Sequence, residues 1–509
     1  MTKPFQQSKQ PGQQEIQPLL QLLNSGQLAQ AEARAKALLA SYPNVFILHN
    51  VLGIALDGQR KFEEAVISYR KALTLQPNMP DLHFNLGIAL ANLGRLEESA
   101  ASYRKALAMQ PRFFEALGNL GTVLQKQGKL EEAIASYRKA LAINSDALGH
   151  FNLATALRDQ GKLEEAVESY RKALGIHPNY ADAHNNLGET LRDQGKMEEA
   201  ITSYQQALAL NPQHPDANYN MAEFLYLANR YDEAIPHFER SRLDDWQERS
   251  LYCLYKAEKF DAFKTRRDAL IAVTSHTSPF LATLSTHYSL NFGVEDPYNF
   301  CKNAMDYVYQ NSLAPLAADG GTLLQDLLRD VNNTEIAERK QGRLHFGTQS
   351  AGNLFKRSEA SFRILADLIK KEFLSYRERF AGADCELIRS FPDELEFTSS
   401  WYVKMQQGGH LTSHIHEIGW ISGAVYLAMP QNKTNPDEGR FEYGTHGDSY
   451  PQKHSNFPVS NVAPNVGDIV LFPSSLFHRT IPFSSNEERI CIAFDLRPAS
   501  ISNRKTSAY

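Results

Sequence analysis

Four cysteines are spread over 509 residues, at positions 253, 301, 385 and 491, and no two stand in a CxxC pair. Structural zinc and dithiol exchange are thereby excluded, and a reducing compartment fits. No run of eighteen apolar residues passes without a charge, which argues against a membrane-spanning helix, and the opening MTKPFQQSKQPGQQ lacks the apolar core of a signal peptide. Neither sign of charge dominates: Lys and Arg number 53 against 58 Asp and Glu, a net charge of -5. Such a chain has no global basic field to collect nucleic acid or an anionic membrane. GxxxxGK[ST], GxGxxG and GxSxG are also missing, so nucleotide chemistry and an elbow-type serine hydrolase are disfavoured. What is present is ordinary soluble composition, 42% hydrophobic and 22% charged, and a cytoplasmic protein is expected. The length suggests about three domains, or a repeat array with a compact partner.

The N-terminal half is periodic. Tyr69, Tyr103, Tyr137, Tyr170, Tyr204 and Phe238 recur with a nearly constant step, and only the step from Tyr137 to Tyr170 falls one short of the others. Gly53, Gly87, Gly121 and Gly188 share this register, with Ala154 and Ala222 filling the gaps, and so do Pro43, Pro77, Pro111, Pro178 and Pro212. The short step falls where Ser145 replaces the expected proline, so the missing residue comes from a turn. Each unit reads as two short amphipathic helices: in LEESAASYRKALAMQP, Ala100, Tyr103, Ala106 and Leu107 stripe one face while Glu97, Glu98, Arg104 and Lys105 take the other. A glycine recurring within a helix, at a propensity cost of about 1 kcal/mol against Ala, predicts close helix-helix approach. In its period and its order of Leu-Gly, Ala, aromatic, Ala and Pro, the pattern resembles the tetratricopeptide repeat. With an atypical first unit around Ala31, about seven repeats are expected over residues 13–246, after a flexible tail of residues 1–12.

Within that register Asn85, Asn119, Asn152, Asn186 and Asn220 form a ladder, each two positions before the glycine or its alanine replacement. Asparagine is a poor helix residue, so five copies ask for a reason. The ladder resembles that of O-GlcNAc transferases, whose asparagines grip the backbone of an extended peptide, and an amide offers the donor and acceptor such recognition needs. The alternative is an amide inherited by duplication that bonds the adjacent helix. For the array as a whole, a protein or peptide partner is expected, with no nucleic-acid and no membrane role.

The period fails after residue 246. KAEKFDAFKTRRDALIAV and DPYNFCKNAMDYVYQNSL carry apolar residues at helical spacing, and residues 247–314 are read as a helical connector. From 315 to 509 the text changes again. After the helical SEASFRILADLIKKEFLSYRERF come SSWYVKMQQ, GWISGAVYLAM, GRFEYG, GDIVLFP and RICIAFDL, which read as strands. Many short strands separated by turn text predict a jelly-roll double sheet, so the whole chain reads as an all-α superhelix followed by a connector and a double-stranded β-helix domain.

In GGHLTSHIHEIGW, His414 and His416 are two apart and would share one face of a strand. Much further along the chain His478 follows GDIVLFPSSLF, and Arg489 comes a short way after it, at the start of RICIAFDL. SHIHEIGWISGAVYLAMP, LFPSSLFHRTIPF and ERICIAFDLRP together resemble a bacterial family of 2-oxoglutarate/Fe(II)-dependent oxygenases found behind tetratricopeptide repeats. That resemblance implies Fe(II) held by His414 and His478, 2-oxoglutarate anchored by Arg489 with Tyr426 as a second contact, and hydroxylation as the reaction. His414, His478 and Arg489 would be the catalytic set. The usual oxygenase has Asp or Glu where this chain has His416, so either His416 or Glu417 completes the metal site. Cupins also use a His-x-His pair, but Trp420 and Ile421 stand where their glutamate belongs. A cupin-like enzyme independent of 2-oxoglutarate and a metal-free interaction scaffold remain the alternatives.

Overall fold

The computed structural model describes residues 11–499 apart from 244, 318–320, 334–335, 340–341, 393 and 418. Most of the expected N-terminal tail therefore lies outside the described residues. The chain divides into two compact units, residues 1–224 and 225–509. Among the described residues of the first unit, six helical hairpins follow in order. They are Gln13–Asn24 with Leu28–Ser41, Phe46–Gly58 with Phe62–Leu75, Pro80–Asn92 with Leu96–Met109, Phe114–Lys126 with Leu130–Ile143, Ala147–Asp159 with Leu163–Ile176, and Ala181–Asp193 with Met197–Leu210. Helix Pro215–Leu227 then crosses into the second unit.

The recurring glycines are explained by the recurring tyrosines. A Cβ on Gly53, Gly87, Gly121 or Gly188 would lie 2.5, 2.6, 2.7 or 2.6 Å from the ring of Tyr69, Tyr103, Tyr137 or Tyr204. Each ring is buried against the first helix of its own hairpin, and the hydrogen atom of glycine is what makes room for it. On the exposed side, Arg70, Arg104, Arg138 and Arg171 each reach the glutamate of the next hairpin, Glu98, Glu132, Glu165 and Glu199, at 2.6 to 3.0 Å. Such solvated pairs add little, up to about 1 kcal/mol each, so the buried Gly-Tyr packing carries the stacking.

The second unit begins with helices Tyr231–Ser241, Trp246–Lys256, Phe260–Ile271 and Pro279–Phe292. The segment DPYNFCKNAMDYVYQNSL departs from its helical reading. It holds one 3-10 turn, Ala304–Tyr307, and then a strand, because its end pairs with Asp468–Pro473 much later in the chain. Among the described residues ten strands follow: β1 (Tyr309–Ser312), β2 (Glu338–Arg339), β3 (Leu344–Ser350), β4 (Leu395–Leu411), β5 (Ile421–Ala428), β6 (Phe441–Gly444), β7 (Val459–Val462), β8 (Asp468–Pro473), β9 (Phe477–Thr480) and β10 (Arg489–Pro498). They form a seven-stranded sheet in the order β1-β8-β5-β10-β4-β3-β2 and a three-stranded sheet in the order β7-β6-β9. Helix Ala360–Arg379 buries Phe362, Leu365, Ile369, Phe373 and Tyr376. The strands read from the sequence recur as β4, β5, β6, β8 and β10, whereas β1, β2, β3, β7 and β9 were not anticipated. All four cysteines are free and buried, and among the described residues no helix is long and apolar enough to cross a membrane.

The glycine packing sets an expectation. Gly121→Val should cost the array about 1–3 kcal/mol by overpacking against Tyr137. Gly121→Ala should cost less, since Ala154 and Ala222 occupy the same register elsewhere. Thermal melting of the helical signal would check the ranking, and equal midpoints for wild type and Gly121→Val would contradict it.

Candidate metal centre

β4 ends at Leu411, and the chain that follows does not continue the ladder as a strand. Instead His414 forms a single antiparallel bridge with His478, in which each backbone N–H donates to the other's carbonyl, at 3.1 and 2.9 Å. Residues paired in this way project to the same face, so the bridge alone sets two imidazoles side by side, with ring centroids 4.3 Å apart. His416 is placed by its own backbone N–H, which donates to the carbonyl of Ser474 at 3.3 Å. Its ring lies 5.3 Å from that of His414 and 4.8 Å from that of His478. One ligand atom from each of the three lies within 4.8 Å of the others, which makes this a group able to hold a metal ion.

The outer nitrogens decide which atoms are offered. Nδ1 of His414 faces the carbonyl of Thr412 at 2.8 Å, and Nδ1 of His478 faces that of Leu476 at 3.2 Å. A carbonyl only accepts, so both Nδ1 atoms carry the proton and both Nε2 lone pairs remain for a cation. Nδ1 of His416 meets a carboxylate, Asp495, while its Nε2 approaches that of His414 at 3.3 Å. Asp495 also accepts from Ser422 Oγ at 2.7 Å and from Ser399 Oγ at 2.8 Å. A carboxylate or carbonyl behind each imidazole is the arrangement that orients histidine ligands in metal sites.

Burial shapes the electrostatics. Desolvation, with the charge of His416 added, pulls His414 down to about 3, and desolvation with both neighbouring histidines pulls His478 well below its ordinary value. For Asp495, burial acts to raise the carboxyl but is outweighed by His416 and by the hydrogen bonds from His416, Ser422 and Ser399, which hold it below its ordinary value. The rings of Phe472 and Phe441 stand 4.6 and 5.6 Å from that of His478, closing one side of the cluster.

Glu417 takes no part in the cluster. It forms an ion pair with Arg249 at 2.9 Å, which draws it toward helix Trp246–Lys256. His410 stacks on His345 with centroids 4.6 Å apart. The same helical layer braces the loops around the histidines: Thr283 Oγ1 donates to the carbonyl of Ser475 at 2.8 Å, His287 Nε2 meets His446 Nδ1 at 2.8 Å, and Lys256 Nζ donates to the carbonyl of Ser449 at 2.8 Å.

Arg489 opens β10 and is 2% exposed. Its guanidinium reaches the Gly439 carbonyl at 3.2 Å and the sulfur atoms of Cys491 and Met405 at 3.6 and 3.9 Å, and it stands 5.1 Å from the centroid of the Tyr426 ring. No carboxylate among the described residues pairs with it. Tyr426 is wholly buried and its hydroxyl makes no well-formed hydrogen bond, while burial pushes the phenol up against the opposing charge of Arg489. A buried cation beside an unused hydroxyl donor is costly unless an anion joins them.

The register joins the two groups. Asp495 pairs with Ser399 on β4 and Ser422 on β5, Ala493 with Trp401 and Ala424, Cys491 with Tyr426, and Arg489 with Met405. These positions share one face of the sheet. The histidine support lies at one end of that face and Arg489 with Tyr426 at the other, with alanines between them.

Residues 399–495 match the family described as "Putative 2OG-Fe(II) oxygenase", and residues 59–94, 154–191 and 188–228 match "TPR repeat", with 84–147 matching "Tetratricopeptide repeat". The chain thus carries tetratricopeptide repeats in its N-terminal half and, at residues 399–495, a domain that matches the 2OG-Fe(II) oxygenase family. Among solved structures it is similar to YrrB, described as a TPR protein with an unusual peptide-binding site, at 23% identity over 36% of this chain and 95% of that one, with a TM-score of 0.33. It is also similar to MamA from Desulfovibrio magneticus RS-1 at 24% identity, over 33% and 95%, with a TM-score of 0.32. Pseudomonas aeruginosa pilF is 25% identical over 38% and 90%, with a TM-score of 0.34. No curated protein matches the chain. The oxygenase family implies Fe(II) and 2-oxoglutarate, and the side chains fit both: three Nε2 lone pairs for the metal, and an unpaired buried guanidinium with an unused hydroxyl for a distal carboxylate.

The structure brings the three histidines read from the sequence together and sets Arg489 beside Tyr426, whereas Asp495, Ser399 and Ser422, which stand behind His416, were not read from the sequence. The available clue was an acid in the apolar strand RICIAFDL, in the same alternation as Arg489, where an inward carboxylate requires partners.

The buried histidines carry a pH dependence. The unfolded chain takes up protons below about pH 6.5, whereas folded His414 and His478 resist them until far lower pH. Each therefore adds nothing above that pH and lowers stability by up to about 1.4 kcal/mol per pH unit as pH falls below it. His287, drawn down to about 3 by burial, acts in the same sense. The melting midpoint of metal-free protein should fall steadily from pH 6.5 to 4, with a shallower slope in His414→Gln, and a flat profile would contradict this.

Proposed function

We propose that the chain is an Fe(II)- and 2-oxoglutarate-dependent dioxygenase, a hydroxylase acting on a protein or peptide recruited by its tetratricopeptide repeats. The observation that carries this reading is the pairing, on one face of the sheet, of three Nε2-presenting histidines with a buried arginine that has no anionic partner. His414, His416 and His478 would hold the metal, and the ion pair of Glu417 with Arg249 favours His416 as the third ligand. Arg489 would bind the distal carboxylate through its guanidinium, and Tyr426 would donate its hydroxyl to the same group. When bound, Fe(II) and 2-oxoglutarate supply O2 activation coupled to decarboxylation of the oxo acid to succinate, with one oxygen atom going to a substrate C–H bond. The protein's part would be to keep Nδ1 of each histidine protonated, to offer Arg489 and Tyr426 to the distal carboxylate, and to shield the histidines with Phe441 and Phe472.

Residues 13–246 would recruit the partner, residues 247–314 would brace the site loops, and residues 315–509 would hold the chemistry. In the array, Asn85, Asn119, Asn152, Asn186 and Asn220 are all half-buried. Some of their bonding capacity is used between repeats: Asn85 donates to Asn50 at 3.3 Å, and Asn220 donates to Asn185 and Glu189 at 3.0 and 3.1 Å. The amides keep further capacity for a peptide backbone. Four free thiols suit a cytoplasmic setting.

Anaerobic addition of Fe(II) and 2-oxoglutarate should produce the weak metal-to-ligand charge-transfer absorption of a chelated oxo acid. His478→Ala should abolish it. Arg489→Ala should retain metal but raise the 2-oxoglutarate requirement at least about 30-fold, corresponding to about 2 kcal/mol for a buried charge pair cut at one partner. An unchanged band in His478→Ala would overturn the assignment, and iron binding with no response to 2-oxoglutarate would indicate cupin-like chemistry. Changing Asn119, Asn152 and Asn186 together to Ala should weaken peptide capture while the array still melts cooperatively. Loss of that transition would instead assign the ladder a structural role.

A further inference from the structure

The three histidines are supported unequally. His414 and His478 face neutral carbonyls, whereas His416 faces the carboxylate of Asp495. Asp495 is 9% exposed, and its hydrogen bonds are with His416 and with the hydroxyls of Ser422 and Ser399. No Lys or Arg among the described residues pairs with it, so its charge is directed to His416. Ser422 is linked in turn to Ser474 Oγ at 2.7 Å, and the backbone carbonyl of Ser474 accepts from His416 N–H. Even the close approach of the loop is built in: a Cβ on Gly419 would stand 2.5 Å from Ser474 Oγ and 3.3 Å from Asp495 Oδ1.

Three neutral imidazoles bring no charge to a divalent cation. We propose that Asp495 is the positioning residue that supplies this charge through His416, so that the His416–Asp495 pair does the work of a carboxylate ligand from one side chain further out. This rests on the reading of His414, His416 and His478 as metal ligands. Its consequence is that the three histidines differ in strength: His416 is the most strongly donating, and the site favours a divalent cation more than a set of uncharged ligands would.

The test is the affinity of the purified full-length chain for Fe(II), and separately for Co(II), measured by chelator competition without substrate or turnover. Asp495→Asn keeps the shape and an oxygen acceptor for His416 but removes the charge, and should weaken binding of both metals about 10- to 100-fold. The Co(II) ligand-field spectrum should shift, and metal-free melting should stay close to wild type. Binding within twofold of wild type would overturn the inference. His478→Ala separates this failure from that of the site itself: metal lost in His478→Ala but kept in Asp495→Asn contradicts only the role of Asp495, and metal kept in His478→Ala contradicts the site. Should Asp495→Asn not fold, wild-type protein loaded with Zn(II) and labelled with 15N at histidine provides the second measurement. The Nδ1–H of His416 should resonate furthest downfield of the three, and three similar shifts would contradict the proposal.

Discussion

The reciprocal backbone bridge between His414 and His478 is the constraint on which the rest of the site depends. Two hydrogen bonds bring residues distant in the chain directly opposite each other, and the geometry of an antiparallel pair then turns both side chains to one face. Two histidines set side by side by a bridge need no long strand at that point, so β4 ends at Leu411 and the following loop delivers His416. The carbonyls of Thr412 and Leu476 complete the arrangement by fixing the protons on the outer nitrogens.

The loops that carry the histidines are held from behind. In the second unit this is done by helices Trp246–Lys256 and Pro279–Phe292, through Arg249 to Glu417, Thr283 to Ser475 and His287 to His446. Buried or half-buried polar pairs of this kind stabilise modestly but specify geometry. Arg489 is the exception, a buried charge for which the fold provides sulfur, a carbonyl and an aromatic face but no anion. That cost is what the proposed binding of a carboxylate at Arg489 would offset.

Repetition made the first unit legible. Gly87 alone would be one coincidence, but glycine in the same register at 53, 121 and 188 marks a close approach in the text, and the structure shows what approaches, the ring of Tyr69, Tyr103, Tyr137 or Tyr204. The grouping of His414, His416 and His478 was legible in their order and spacing along the chain. What escaped was non-local. Glu417 finds Arg249 on a helix far earlier in the chain, and Asp495 finds His416 across a sheet register that no local pattern encodes. DPYNFCKNAMDYVYQNSL has helical spacing of its apolar residues, yet Tyr309–Ser312 is recruited as an edge strand by β8, an instance of tertiary pairing overriding local preference.

X-ray absorption at the iron edge of Fe(II)-loaded protein with 2-oxoglutarate, prepared without oxygen, tests the centre most directly. Multiple scattering from three imidazoles, together with a chelating pair of oxygen atoms, is the expected result. Scattering from two imidazoles or fewer, with protein carboxylate oxygen in the remaining position, would contradict a metal centre built on His414, His416 and His478.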